Sequence, residues 1–296
     1  FYRDEHPYAG DLDIFGRASL YQYINRTNSQ QGNQRLADWL SAPASAATIK
    51  ARQAAVQELV QQTNWRQELQ AHGSSAIITI ATQQKMEDWL KEGNQFVHKK
   101  RWHVLRYAVP LLALTVLALF LFDVISYQFF LRALLVFTII AFGITRIIVP
   151  LYRKLNKITA EMESLSNSIA CIEQAAFKDP LLFSLQQQLY TGHQNASRQI
   201  FQLKNIFNRF DYRLNPVVFV PLNIFLLWDL QQVLQLEAWK QKNNQQINHW
   251  FEALAELEAL CSIGTLSFNH PHWCFPALKT DEPTFIAKQL GHPLIE

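Results

Sequence analysis

Among its 296 residues the chain has only three cysteines, nine glycines and eleven prolines. Cys171, Cys261 and Cys274 are too few and too scattered for a disulfide framework, which points to a reducing compartment. Sparse glycine and proline leave room for long, uninterrupted helices. There is no G-x-x-x-x-G-K-[ST] run, so no phosphate-cradling loop is present. Charge of one sign is not in large excess. A formal net charge of +3 is mildly basic and lacks the footprint of a dedicated nucleic-acid binder. No nucleophile–base pair stands out. His270-x-His272-x-Cys274 matches no standard zinc spacing and has no evident fourth ligand. The carboxylate pairs Asp4/Glu5 and Glu256/Glu258 read as solvated faces. No secretory signal peptide opens the sequence. The chain starts at Phe1 and stops at Glu296 just after an apolar pair, so both ends are expected to be cuts in a longer protein.

What is present is helical periodicity. A short helix is predicted from Ser19, its cap, to about Thr27, with Leu20, Tyr23, Ile24 and Thr27 on one face. A second covers about Ser29–Leu40, with Leu36, Trp39 and Leu40 inward and Pro43 just past its end. A third runs from Ala46 to about Thr63, its stripe being Ile49, Val56, Leu59 and Val60. Arg52 lies near that stripe and reads as a structural ion-pair partner. Residues 76–81 read as an irregular turn into a helix at about Thr82–Lys91. Later helices are expected from Leu151 to about Ala176, at Leu181–Tyr190, Ala196–Tyr212, Pro221–Asn248 and His249–Ser267. A β-like run, Thr284–Leu290, follows. The fold class is therefore all-α, with a short β segment at the C-terminal end.

Two apolar runs interrupt this pattern. Residues 107–122 carry no charge, and residues 129–151 are apolar except for Arg132 and Arg146. Each reaches the roughly 20 residues a spanning helix needs, if Val104 and Leu105 are included in the first. Arg132 and Arg146 sit near the ends of the second run, where long side chains snorkel. The short link Asp123–Gln128 makes a hairpin. Lys99, Lys100, Arg101 and Arg106 precede it; Arg146, Arg153 and Lys154 close it. Basic residues on the outer ends place the body on the cytoplasmic side of a membrane, with lipid around residues 104–151. The alternative is a soluble hairpin buried by other domains. A third apolar run, 214–228, holds two prolines and is too short for a comfortable span, so it reads as a buried helix.

Three motifs carry a resemblance. The first is Phe15-Gly16-x-x-Ser19-Leu20, then Asn25-Arg26-Thr27, Gly32, Leu36 and Trp39-Leu40. The second is Ile49-x-x-Arg52-Gln53-x-Ala55-Val56-x-x-Leu59. The third is Gly291-His292-Pro293-Leu294-Ile295. In that order they resemble the core and lever region of MutS-family mismatch-repair proteins, which ends where the ATPase domain starts. The resemblance implies a compact helical core with long lever helices. It divides the chain into a first core/lever half (1–100), the hairpin (101–153), a second half (154–268) and an approach to the ATPase domain (269–296). The hairpin stands where the family carries a β-rich DNA clamp, and no clamp segment is evident.

For function the resemblance implies the core/lever region of a MutS-related ATPase. It would relay ATP state between its own ATPase domain and DNA or a membrane element, with ATP and Mg bound outside this segment. A homodimer and double-stranded or mismatched DNA are the partners implied. No residue here requires a catalytic role, and the segment itself is expected to hydrolyse no ATP. The alternative is a membrane-tethered MutS-like scaffold without a DNA role, or the same chain soluble in the cytoplasm.

Overall fold

The computed structural model describes residues 8–155, 158–191, 194–278 and 285–295; side chains of 151–155 and of residue 191 are outside that description. Among the described residues there are thirteen α-helices and one two-stranded ladder, so the protein is all-α. The ladder pairs β1 (Tyr190–Thr191) with β2 (Gln194–Asn195). Two compact units are formed from interleaved segments. The first comprises 1–80, 164–197 and 248–296; the second comprises 81–163 and 198–247.

In the first unit, side-chain caps set the early helices. Ser19 caps α1 (Leu20–Ile24), Ser29 caps α2 (Gln30–Ser41) and Ser45 caps α3 (Ala46–Gln61), each accepting an otherwise unpaired amide. Asp179 does the same for α9 (Pro180–Gln187), whose first residue, Pro180, has no amide to satisfy. α4 (Thr63–Ser74) follows α3 after Gln62 and is not foreseen by the sequence reading. Its polar composition hides the buried Arg66 and Leu69. Leu36, Val56, Leu59, Ile169, Leu182, Leu254 and Leu257 make a core from which water is excluded. The last helix, α13 (Ile247–Asn269), carries Ala259 into a cluster with Ile24 and Leu36, against which Leu20, Tyr21 and Trp39 pack.

The second unit contains α5 (Ile80–Lys91), α6 (Lys100–Leu121), α7 (Tyr127–Leu155), α10 (Ala196–Phe210), α11 (Pro216–Leu226) and α12 (Trp228–Asn243). α8 (Thr159–Gln174) is divided between the units at residues 163 and 164. Trp89 and Trp239 stack at 6.1 Å in the second unit's core. Two acceptor–donor clamps reach out from α12. Glu237 accepts the backbone amides of Gln95, Phe96 and Val97 at 2.7–2.9 Å. Lys240 donates to the carbonyls of Trp89 and Glu92 at the end of α5. One helix thus fixes both the end of α5 and the loop that starts α6.

Three expectations need correction. The predicted helix Pro221–Asn248 is broken: α11 and α12 meet at 79°. Leu227 there adopts a left-handed conformation with φ 49°. Pro221 has already removed one helical donor from α11. The helix expected from Leu151 begins at Thr159 instead, because α7 continues through Pro150 to Leu155. The β-like run has no strand over 285–290, its described part; Thr284 lies outside the described residues.

Candidate functional site

The N-terminal motif folds into one loop built around a carboxylate. Gly16 turns the chain at φ 110°, where a side chain is strained. Phe15 packs near Tyr21, their rings 5.8 Å apart. Ser19 then caps α1, and Leu20 enters the cluster on Leu36. Asn25 closes the helix: its amide donates to Asn33 at 2.6 Å, and its carbonyl oxygen accepts Thr27 through backbone and hydroxyl. The backbone of Arg26 donates to Ser262 on α13 at 3.0 Å, and its exposed guanidinium turns back to the carbonyl of Asn25.

One helical turn from Ser262 stands Glu258, which is buried. Its carboxylate accepts the amides of Asn28 and Ser29 and the Ser29 hydroxyl at 2.5 Å. The same hydroxyl accepts the amide of Gly32 at 2.9 Å. Gly32 faces the carboxylate so closely that a Cβ would meet Glu258 Oε2 at 2.2 Å. Burial raises the Glu258 pKa above the ordinary carboxylate value, and the bonds from Ser29 and Asn28 pull it partly back. The solvated reading of Glu256/Glu258 therefore fails. The apolar face of α13 includes Glu258 because the Asn28–Gly32 loop supplies donors that water otherwise would. Asp4 and Glu5 lie outside the described residues.

Glu256 has its own partners. It pairs with Arg35 at 3.1 Å and with Arg52 at 3.5 Å. The Arg52 guanidinium lies 3.7 Å from the ring centre of Trp39, so both motif residues belong to one stacked pair. Burial lowers the Arg52 pKa and Glu256 opposes that. His292 meets the first segment, its Nε2 lying 3.2 Å from the carbonyl of Leu12 while Nδ1 accepts the amide of Leu294. The Nδ1 acceptor role leaves the proton on Nε2. Pro293 sits in the turn that follows.

Beside the motif loop is a cavity of about 280 Å³ lined by Arg26, Asn28, Arg66, Glu258, Cys261 and Phe268. Arg66 is buried and donates to Leu59, Thr265 and Thr63. Burial pushes the Cys261 thiol up to about 12, so it is no nucleophile at neutral pH. Among the described residues no group of side chains could hold a metal ion. The bonds of this arrangement hold the motif loop to α13.

The apolar hairpin is the other candidate. α6 and the 127–150 stretch of α7 each have mean hydropathy 2.2 over their most apolar windows, yet only 11% and 17% of those windows are buried. Ala113 and Ala141 are fully buried, with Val109, Ile144 and Ile148 beside them in the helix contacts. Leu111, Leu121 and Ile139 point outward with about two thirds of their surface free. The hydroxyls of Thr115 and Thr138 bond to carbonyls one turn earlier in their own helices. These two hydroxyls are thus satisfied inside their own helices, as an apolar medium requires. Lys99, Lys100, Arg101 and Arg146 are exposed, and Arg106 bonds to Gln231 on α12 at 2.6 Å. The side chains of Arg153 and Lys154 lie outside the described residues.

A polar cluster joins α7 to the bend between α11 and α12. Asp229 is fully buried and accepts Arg213 at 2.8–2.9 Å and Thr145 at 2.6 Å. Asn223 donates to Thr145 at 2.8 Å and accepts the Asp229 amide. Sequence reading did not single out this cluster. Its signal was two polar residues, Asn223 and Asp229, inside and just after an otherwise apolar stretch.

No curated protein and no solved structure matches the chain. The description of MutS domain III matches residues 9–264, most of the length and both motif regions upstream of the last helix's end. The chain therefore belongs to the MutS domain III family.

Proposed function

We infer that this segment is the core and lever region of a membrane-tethered MutS-related ATPase. The α6–α7 hairpin enters the membrane, the body stays on its cytoplasmic side, and α12 carries conformational state between an ATPase domain and the hairpin. The observation that supports this best is the pairing of high hydropathy with low burial in α6 and α7. Helices apolar all round need either protein or lipid around them. The relay rests on α12: Glu237, Lys240 and Asp229 bind the loop before α6, the α5 end and Thr145 of α7. A helix fastened at three levels moves the hairpin when it moves.

ATP and Mg belong in this reading to the ATPase domain. The present residues include no phosphate loop, and they supply no step of nucleotide chemistry. A homodimer and DNA are the further partners that the family implies. No β-clamp is present among the described residues of 101–153, so clamp-style DNA contact is not part of the proposal.

Two measurements test it. Leu114→Arg or Ile139→Arg places a charge at the centre of a span at a cost of about 2.5–3.5 kcal/mol, and should impair insertion. Retained insertion of both variants would argue for a protein-covered hairpin. DNA affinity of the full-length protein at two salt concentrations separates the membrane relay from a DNA relay. A steep fall with salt signals phosphate contacts and counterion release.

A further inference from the structure

α11 is the third apolar helix of the second unit, and it packs directly against both α6 and α7. Its one polar side chain, Asn223, is buried and donates to Thr145. Phe219 and Ile224 are buried as well. The outward face is different. Val217 is 82% exposed, Val218 42%, and Leu214, just before the helix, 82%. The sequence reads as a buried helix entry here; the structure leaves one face of it bare.

The surroundings of that face are those of a membrane–water boundary. Tyr212 and Trp228 stack at 5.5 Å with an 8° tilt, and the Trp228 indole donates to the carbonyl of Arg209. Arg209 is exposed. The start of α6 has the same mixture: Arg101 lies 5.0 Å from the Trp102 ring, and Arg106 lies 5.3 Å from the ring of the exposed Tyr107. Aromatic and basic side chains beside an exposed apolar helix favour the headgroup level, with the apolar face below it.

The helix ends also suit that medium. Asn215 accepts the amide of Val217, Pro216 has no amide, and the Leu227 amide bonds to Asn223. Lipid offers no replacement partners, so such closure is required there. Eleven residues span about 16 Å at 1.5 Å each, about half of the hydrocarbon core. α11 is too short to cross.

We propose that α11 is a third membrane element, a half-length helix whose outer face, Leu214, Val217 and Val218, is immersed in lipid acyl chains beside the basic ends of α6 and α7. This rests on the membrane reading of the hairpin, because α11 is packed onto it. The Arg213–Asp229–Thr145 cluster fastens the two flanks of α11 to α7, so the face is held in place.

The test is lipid-phase quenching of the full-length protein reconstituted in phosphatidylcholine–phosphatidylglycerol vesicles. Cys274, exposed, is replaced by serine. A polarity-sensitive fluorophore is then placed on Val217→Cys, on Ile139→Cys in the hairpin, or on Gln57→Cys in the body. Acyl-chain nitroxide quenchers should quench the Val217 and Ile139 probes to a similar extent and leave the Gln57 probe unaffected. Quenching at Ile139 without quenching at Val217 overturns the proposal and leaves the hairpin reading standing. Quenching at neither overturns both. A Val217 probe that is shielded from water, not quenched by lipid, and crosslinked to a second copy would assign the face to a dimer contact and also overturn the proposal.

Discussion

Gly32 is held to a hydrogen side chain by the carboxylate of Glu258, not by backbone conformation. A methyl group there would meet Oε2 at 2.2 Å, and the carboxylate has no slack because Ser29 and Asn28 hold it. Gly32→Ala should therefore lower stability by about 1–3 kcal/mol, the usual cost of overpacking, measured by thermal or chemical denaturation. Glu258 also sets a pH dependence. Burial raises its folded pKa above the ordinary 4.5. A raised folded value means its contribution to stability is full below the unfolded pKa and is lost as pH rises through the folded value. Denaturation midpoints of the wild type should include this decline on the alkaline side of 4.5. In Glu258→Gln that component should be missing. An identical pH slope in both proteins would remove Glu258 from the account. At this scale Arg52 was legible in the sequence as an ion-pair partner, because a lone cation near an apolar stripe needs an anion. Its partner Glu256, 204 positions away, was not, since nothing local marks which carboxylate a helix will turn inward.

Helices with strong apolar stripes were legible from the chain alone: α2, α3, α9 and α10 begin within a residue of the starts expected from periodicity. α4 was missed because its buried positions include Arg66 and Gly73, which carry no apolar signal. The break between α11 and α12 was missed because its cause is tertiary. Leu227 in the left-handed region costs about 1–2 kcal/mol, and the polar cluster from three separated segments opposes that. Asp229 is the centre of this cluster. Asp229→Ala should strand Arg213 and cost about 3–5 kcal/mol, measured by denaturation in detergent micelles. A loss below about 1 kcal/mol, the range of a surface pair, would show that the cluster does not hold the bend.

Across the whole molecule, an all-α body and two apolar helices follow from periodicity and hydropathy, and membership of the MutS domain III family ties the motif loop to a known core. In the proposed account the hairpin is the feature that changes what such a core does. Basic residues precede it, the link around Asp123 is exposed, and the hydroxyls of Thr115 and Thr138 are satisfied within their own helices. These properties together place lipid, not protein, around it in the proposed account. The measurement that tests this most directly is membrane fractionation of the full-length protein with and without residues 104–151. The intact protein should sediment with membranes, resist extraction by high salt and alkali, and come out only with detergent, whereas the deleted form should be soluble. A tag between Asp123 and Gln128 should be reachable only from the non-cytoplasmic side. An intact protein that stays soluble without detergent would contradict the account and make the hairpin a protein–protein element.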